Sequence, residues 1–304
     1  MKIINPYADA ERGVWLKGNL HTHTQASACG HYPDADVVKF YSDRIMRYDF
    51  IAITDHMKIT DVEPFENQNE LIVFNGTEFK KDAYQMLGIN INKYDDDGLD
   101  TANHQKILDD IAAQHGIGII CHPHLNRDDY WPCEKLLELE GYTAIEIYNQ
   151  NVKMNNSGRA VATDVWDKLL SCGRRVWGIA SDDFHHYSRG RGGFINVLAK
   201  EKSKAAILEA VKAGSFYSSS GIMLKNIYAV DKTITLANAS PKMANTIFRF
   251  FGKDGKLLKE ELIAEPDRPA SYTVQGSEGY VRAEAAREDG AQAWTQPFFI
   301  TGNF

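Results

Sequence analysis

The chain has 304 residues, 34 Lys+Arg against 41 Asp+Glu, a formal net charge of −7 and 43% hydrophobic residues. That length suits about two domains at roughly 150 residues each, or one large barrel with an appendage. Its 14 Phe, 14 Tyr and 5 Trp exclude wholesale disorder. Mild acidity argues against non-specific nucleic-acid binding, which needs a basic face, and no apolar run reaches the ~18 residues of a membrane span. The opening residues lack the apolar core of a secretory signal. Four irregularly spaced cysteines, Cys29, Cys121, Cys133 and Cys172, make no disulfide framework, so a reducing, cytoplasmic setting is expected.

Short apolar runs at 15–24, 50–56, 71–78, 118–122, 144–149, 176–185 and 194–199 read as buried parallel strands. Helical periodicity is predicted between them over 35–46, 101–115, 134–140, 159–171 and 203–213, with Gly173 and Gly214 placed to end the last two. This alternation implies βαβ units and a parallel sheet, open or closed into a barrel. Beyond Gly221 the helical period disappears. Strand-like runs at 225–230, 233–237, 246–251, 272–274, 280–285 and 293–300 alternate with turn signals, among them Asp254-Gly255 and Asp289-Gly290. They predict a small antiparallel β-sandwich. The expected organisation is an α/β domain over 1–221 and a β-sandwich domain over 222–304.

Every strong polar cluster falls at the C-terminal end of an expected strand of the first domain: His21-Thr22-His23, Asp55-His56, Glu78, His122-Pro123-His124, Glu146 with Asn149, and Asp182-Asp183-Phe184-His185-His186. In parallel α/β sheets and barrels these ends converge on one rim. His21 and His23, two apart, share a side of their strand, which suits a common metal. Asp183 and His185 repeat that spacing, leaving Asp182 and His186 to face the other way. Each cluster alone has an ordinary reading: Asp55 as a helix N-cap, Glu78 as a solvated carboxylate, His122-Pro123-His124 as a turn. Together they form a rim of carboxylates and imidazoles with no Lys or Arg among them, which calls for cations. Nitrogen and oxygen donors with one possible thiolate suit Zn²⁺, Mn²⁺ or Fe²⁺ better than Ca²⁺, and their number implies two or three divalent metal ions. Chemistry of that kind is hydrolytic.

In order, His21-Thr22-His23-Thr24, Thr54-Asp55-His56, Gly76-Thr77-Glu78, His122-Pro123 and Ser181-Asp182-Asp183-Phe184-His185 resemble the motifs of the polymerase and histidinol phosphatase (PHP) superfamily, over residues 15–221. Asn5-Pro6-Tyr7, Lys17-Gly18-Asn19-Leu20, Glu146-Ile147-Tyr148-Asn149, Tyr280-Val281-Arg282 and Trp294 look like its carbaryl-hydrolase-like branch. The resemblance implies a distorted (β/α)₇ TIM-like barrel with up to three metals on its rim. His21, His23, Glu78 and Asp183 would hold the first; Glu78 would bridge to a second, also held by His122; His56 and His185 would hold a third. It further implies attack on phosphorus by a metal-bound hydroxide. Two positions depart from the pattern. Where the family places an Asp or His after the first motif, this chain offers Cys29 or His31, and a thiolate would favour Zn²⁺ or Fe²⁺. Gln85 stands where a further His is common, which implies a second site that is either weak or completed by His124.

Asp55, His124 and Glu146 are expected to support the ligands from behind. Asn149, Arg159 and Arg191 are the candidate substrate contacts, with Lys80 and Arg189 on neighbouring loops and Gly190, Gly192 and Gly193 lending mobility. His104 and His115 are expected to be structural. The expected function is a metal-dependent phosphoesterase cleaving a small phosphate monoester or nucleotide, with no membrane partner. Two alternatives stay open: hydrolysis of a carboxylic ester or carbamate, and a metal- or ligand-binding module whose catalysis has decayed, which Cys29 and Gln85 would favour.

Overall fold

The computed structural model of the chain describes residues 1–8, 13–66, 70–80, 84–94, 103–239, 245–265 and 268–301. Apolar runs become strands and the periodic segments between them become helices. The first part comprises β1 (Lys2–Ile4), β2 (Val14–Asn19), α1 (Asp34–Tyr41), β3 (Phe50–Ile53), β4 (Ile72–Phe79), β5 (Met86–Ile89), α2 (His104–Ala113) and β6 (Ile117–Ile120). It continues with α3 (Cys133–Glu138), β7 (Ala144–Asn149), α4 (Gln150–Asn155), α5 (Thr163–Ser171), β8 (Trp177–Ser181), β9 (Phe194–Ala199), α6 (Lys204–Ala213) and β10 (Phe216–Ser219). The first two residues of the helix expected at 101–115 lie outside the described residues. The helix expected from 159 begins at Thr163 because the preceding stretch pairs instead, Gly158 with Leu125 and Val161 with Tyr148. α4, not predicted, is capped by the Asn149 side chain, which accepts from Val152 N at 2.9 Å. Gly214 ends α6 at φ 74° as expected.

β2, β3 and β4 are parallel neighbours, as are β6, β7 and β8. β5 runs antiparallel between β4 and β6, and β9 runs antiparallel along the other edge of β2. The sheet is therefore mixed, not the parallel one that the alternation implied. The connection from Phe79 to Met86 is too short for the crossover a parallel partner needs, so β5 folds back as a hairpin. The row of strands curls until its ends meet at one rim. There Thr22 and Phe184 form a parallel bridge, with His23 N donating to Phe184 O at 2.9 Å and Phe184 N to His21 O at 3.2 Å.

Below that bridge, β7 is the one ladder partner of β8 among the described residues. Side chains satisfy its open edge. Gln296 Oε1 accepts from Gly178 N at 2.9 Å and its Nε2 donates to Gly178 O at 2.7 Å; Ser218 Oγ accepts from Ala180 N at 3.0 Å and donates to Gly178 O at 2.8 Å. The expectation of a closed barrel is thus met only at the rim: among the described residues this is a curled sheet with one closing bridge and a seam sealed by side chains.

The sheet does not stop at residue 221. β11 (Leu224–Val230), β12 (Thr233–Asn238), β13 (Thr246–Gly252), β14 (Lys256–Ile263), β15 (Ala270–Thr273), β16 (Tyr280–Arg287), β17 (Gln292–Thr295) and β18 (Phe298–Thr301) follow. β10 lies between β9 and β17, and β16 joins β17 to β13 and β14, so hydrogen bonding runs unbroken into the C-terminal strands. β1 pairs with β18, binding the N-terminus to the same unit. A separate antiparallel sheet, β11-β12-β15, shares its core: Ile234, Leu236 and Ala270 pack with Phe248, Phe250, Val281 and Ala283. β14 was not expected because its charged sequence, KLLKEELI, is that of a half-exposed edge strand. Asp254 (φ 62°) and Gly255 (φ 66°) turn the hairpin before it, as the Asp-Gly signal implied. The run at 293–300 divides at Pro297, which cannot donate to a ladder.

Lys17, half-buried on β2, sets its ammonium against two aromatic rings. Lys17 Nζ sits 4.1 Å from the ring centre of Phe194 and 4.3 Å from that of Tyr48, and burial, opposed by Asp182, brings its pKa down to about 8. Between that value and the ordinary 10.5 the unfolded chain holds the proton more readily, so stability rises with pH across this window. The stability difference between wild type and Lys17→Met, from urea melts, should therefore move in favour of wild type by up to about 3 kcal/mol over that interval. A flat difference would overturn the assignment. Among the described residues no helix is long and apolar enough to cross a membrane.

Candidate metal centre

The rim collects side chains from six segments. His21 and His23 follow β2, Asp55 and His56 follow β3, Glu78 ends β4, His122 follows β6, Glu146 lies in β7, and Asp183 and His185 follow β8. Hydrogen bonding, not a helix cap, explains Asp55. Its Oδ1 accepts from Thr24 N (2.8 Å) and Ser27 Oγ (2.7 Å), and its Oδ2 from Thr24 Oγ1 (2.7 Å) and Thr60 Oγ1 (3.0 Å). It thereby fixes the loop that leaves His23. His122 (φ 27°) and Asp183 (φ 50°) both occupy left-handed backbone, a strained conformation that turns each strand end abruptly toward the rim.

Glu78 is the hub. Its Oε2 lies 3.3 Å from His21 Nε2, 3.2 Å from His23 Nε2 and 3.1 Å from His56 Nδ1, and its Oε1 lies 3.2 Å from His122 Nε2. Asp183 Oδ1 faces His21 Nε2 at 3.4 Å and His23 Nε2 at 3.3 Å. His185 closes the far side, its Nε2 3.2 Å from Cys29 Sγ. The candidate ligand atoms form overlapping groups within 4.8 Å: His21, His23 and Asp183; His21, Glu78 and Cys121; Cys121, His122 and Glu146; and His23, Cys29, His56 and His185.

The electrostatics are those of a cation site. Burial opposes charge on His21, yet Asp183, Glu146 and Glu78 overcome it and hold its pKa well above the usual value. Burial likewise opposes ionisation of Glu78 and Asp183, but neighbouring imidazoles, His21 first, hold both carboxyls well below the usual range. His56 goes the other way, burial taking it down to about 4 against the pull of Glu78. Without a metal the cluster must hold protons to balance its carboxylates; divalent cations replace them. His122 Nδ1 is buried with no hydrogen-bond partner, His56 Nδ1 lies beside Glu78 Oε2 without hydrogen-bond geometry, and His21 Nε2 and His23 Nε2 approach to 3.1 Å. Lone pairs crowded in this way around shared carboxylates fit a divalent metal.

Several expected residues do other work. His124 turns from the ligands: its Nδ1 bonds the Asp128 carbonyl, and its Nε2 meets Asp164 Oδ1 at 3.0 Å and Arg159 Nη2 at 2.6 Å. It therefore does not complete a second site. Arg159 is held by Asp164 and Asp128 as well as His124, tying two loops together. Arg191 stacks on Phe40, its guanidinium carbon 3.8 Å from the ring centre, and bonds the Phe40 carbonyl. Asn149 is saturated by Glu146 (2.9 Å), Asp183 (3.3 Å) and the α4 cap. Asn149 and Arg159 thus spend their donors on protein partners, while Arg191 keeps a buried Nε without a hydrogen-bond partner. Gln85 is buried just before β5, its carbonyl accepting from Cys121 N and Trp131 Nε1. His31 is exposed and lies edge-on to Tyr32 and His186, outside every ligand group.

Asp182 and His186 face away, as their spacing required. Asp182 accepts from Tyr41 Oη (2.6 Å) and from the amides of Arg191 (2.7 Å), Gly192 (2.7 Å) and Gly193 (2.8 Å). This fixes the loop expected to be mobile; a Cβ on Gly193 would meet Ser181 O at 2.1 Å. His104 packs edge-on against Trp131, a structural role as expected.

Cys121 and Ser181 were missed. Cys121 is fully buried beneath the rim among Glu78, His21, His122 and Glu146; the one hint was its place directly before His122. Ser181 Oγ donates to Glu146 Oε1 at 2.5 Å. Glu146 also accepts from His21 Nδ1 (2.7 Å), His122 N (2.7 Å) and Asn149. Accepting from Nδ1–H fixes the His21 tautomer with Nε2 free toward Glu78 and Asp183. Glu146→Gln should preserve the fold and weaken metal affinity about 10–100-fold, read by competition with a chelating dye; unchanged affinity would show that Glu146 serves packing alone.

A curled α/β sheet with a rim of imidazoles and carboxylates, continued by a C-terminal antiparallel unit, is the architecture this geometry defines. The fold, as distinct from the rim, is similar to that of a two-domain protein from Bacteroides vulgatus containing a predicted PHP-like metal-dependent phosphoesterase, at 14% identity and a TM-score of 0.53, covering 97% of this chain and 98% of that one. The likeness extends through both parts of the chain and is one of fold. PsfC from Pseudomonas syringae is more distantly similar, at 12% identity and a TM-score of 0.43 over 64% of this chain and 87% of its own. The lesion-specific endonuclease PfuEndoQ from Pyrococcus furiosus is similar at 12% identity and a TM-score of 0.42, over 66% and 56%. No protein-family model and no curated protein matches the sequence.

Proposed function

We propose that the chain is a PHP-type metal-dependent hydrolase that cleaves a small phosphate monoester. The observation that carries this reading is the convergence of His21, His23, His56 and His122 on the buried carboxylate of Glu78, with Asp183 and His185 beside them. His21, His23, Glu78 and Asp183 would hold one divalent cation; Glu78 would bridge to another at His122; His56 and His185 would belong to a third. When bound, such cations supply an activated water and neutralise charge on the ester oxygens. Glu146 keeps His21 oriented, Asp55 fixes the loop after His23, and exposed Lys80, whose charge reaches His56, attracts an anion to the mouth.

The test is a panel of aryl and alkyl phosphates beside aryl acetates, with Mn²⁺ or Zn²⁺ added and His23→Ala as the background. Phosphate release well above that background supports the proposal. A response confined to acetates would transfer the assignment to carboxylic esters, and full metal occupancy without turnover on either panel would make the chain a binding module.

A further inference from the structure

Cys29 is carried by a loop that leaves little freedom for it to lie elsewhere. Gln25 N donates to Tyr32 O at 2.7 Å, closing the loop at its base, and Gly30 N donates to Ser27 O at 3.0 Å. A Cβ on Gly30 would lie 1.9 Å from Thr24 O, so the fold-back beside Cys29 admits glycine alone. Asp55 anchors the same loop through Thr24 and Ser27, and Ser27 Oγ accepts from His56 N at 2.9 Å. The loop thus couples Cys29 to His56 through Ser27. Across the opening stands His185, whose Nδ1 lies 2.8 Å from the Asp183 carbonyl, leaving Nε2 toward Cys29 Sγ. The rings of His56 and His185 flank His23 at centroid distances of 4.6 and 4.4 Å.

We propose that Cys29, His56 and His185 form a thiolate-containing site for a thiophilic divalent cation of the Zn²⁺, Co²⁺ or Fe²⁺ class, with His23 at its inner border. It is distinct in chemistry from the carboxylate-rich positions around Glu78 and Asp183. The inference rests on the metal-dependent reading above and deepens it by assigning a metal preference to one position. Ligand spacing supports it. A tetrahedral zinc site with Zn–N near 2.0–2.1 Å and Zn–S near 2.3 Å has ligand–ligand edges of about 3.3–3.6 Å. The His185–Cys29 separation is 3.2 Å, and all four ligand atoms lie within 4.8 Å of one another. Three ligands proper to the site leave a position open to water or substrate, as in catalytic zinc sites. A thiolate selects soft or borderline ions, whereas Glu78 and Asp183 accept Mn²⁺ equally well. One centre can therefore hold different metals at different positions.

Cobalt substitution tests this without relying on turnover. Chelator-stripped protein is reloaded with Co²⁺, and the near-ultraviolet thiolate-to-cobalt charge-transfer band is recorded for wild type, Cys29→Ser, Cys29→Asp and Cys121→Ser, each verified as folded by circular dichroism. The band should be present in wild type and Cys121→Ser and absent from both Cys29 variants. Cys29→Asp, which supplies a hard oxygen, should retain the ion but shift its Zn²⁺:Mn²⁺ preference toward Mn²⁺ by about tenfold or more, measured by elemental analysis after dialysis against both ions. A band that persists in Cys29→Ser, or vanishes in Cys121→Ser instead, overturns the assignment. Stoichiometric Co²⁺ without any such band in wild type also overturns it while leaving the hydrolase reading intact. Failure of wild type to bind metal at all would sink both.

Discussion

Glu78→Gln should empty the centre of metal, raise the cation concentration needed for half-maximal phosphate release by more than ~100-fold, and leave activity near background in ordinary buffer. Losing a residue that merely orients a ligand costs 10–100-fold in affinity, and Glu78 touches four imidazoles directly at 3.1–3.3 Å. An amide is near-isosteric but neutral and offers one acceptor where the carboxylate offers two, so it cannot bridge. A pH signature accompanies the loss. In metal-free wild type the Glu78 carboxyl, held well below its ordinary pKa by His21, His122 and His23, stabilises the fold above the usual carboxylate range and ceases to do so as pH falls through its folded pKa. Metal-free Glu78→Gln lacks that contribution, so its deficit relative to wild type should shrink on acidification. Elemental analysis, phosphate release and urea melts read the three effects. Normal metal content in the variant would overturn the role given to Glu78.

Asp167→Ala is expected to destabilise the chain by about 3–5 kcal/mol, the cost of removing one member of a buried, bidentate ion pair. Asp167, on α5, accepts from Arg282 Nε (2.7 Å), Arg282 Nη2 (2.6 Å) and Tyr280 Oη (2.7 Å), both partners on β16. Arg282 also bonds Glu284 at 2.6 Å and lies 4.6 Å from the ring centre of Phe251. The bidentate pair pins the curled sheet's outer helix to the C-terminal strands. Because the penalty comes from a buried guanidinium left with Glu284 alone, the double variant Asp167→Leu/Arg282→Met should recover most of the loss in denaturant melts of metal-free protein. Additive losses would mean that packing, not charge pairing, dominates this contact.

How much of this was legible beforehand depended on the range of the interaction involved. His21 and His23 share a face because strand side chains alternate, and Asp182 and His186 turn away for the same reason; those placements follow from local geometry. The hairpin at Asp254-Gly255 and the end of α6 at Gly214 follow from positive φ. The partners of Arg159, Arg191 and Asn149 were not legible, because a basic or amide side chain near a rim says nothing of what it pairs with. Asp164, Phe40 and Glu146 claim them, and each lies on an element whose position is set by packing. Between Cys29 and His31 the choice turned on a loop closure at Thr24 and Gly30 that spacing alone does not show.

The sequence by itself determined that strands end in metal-binding residue types in a given order, because periodicity and turn chemistry act over a few residues. The tertiary structure decided what those residues meet: how the seam beside β8 is sealed by Gln296 and Ser218, and which carboxylate lies between which imidazoles. Those outcomes depend on contacts between residues far apart in the chain, some by more than a hundred positions, such as His21 with Glu146 and Cys29 with His185, which the curling of the sheet brings together.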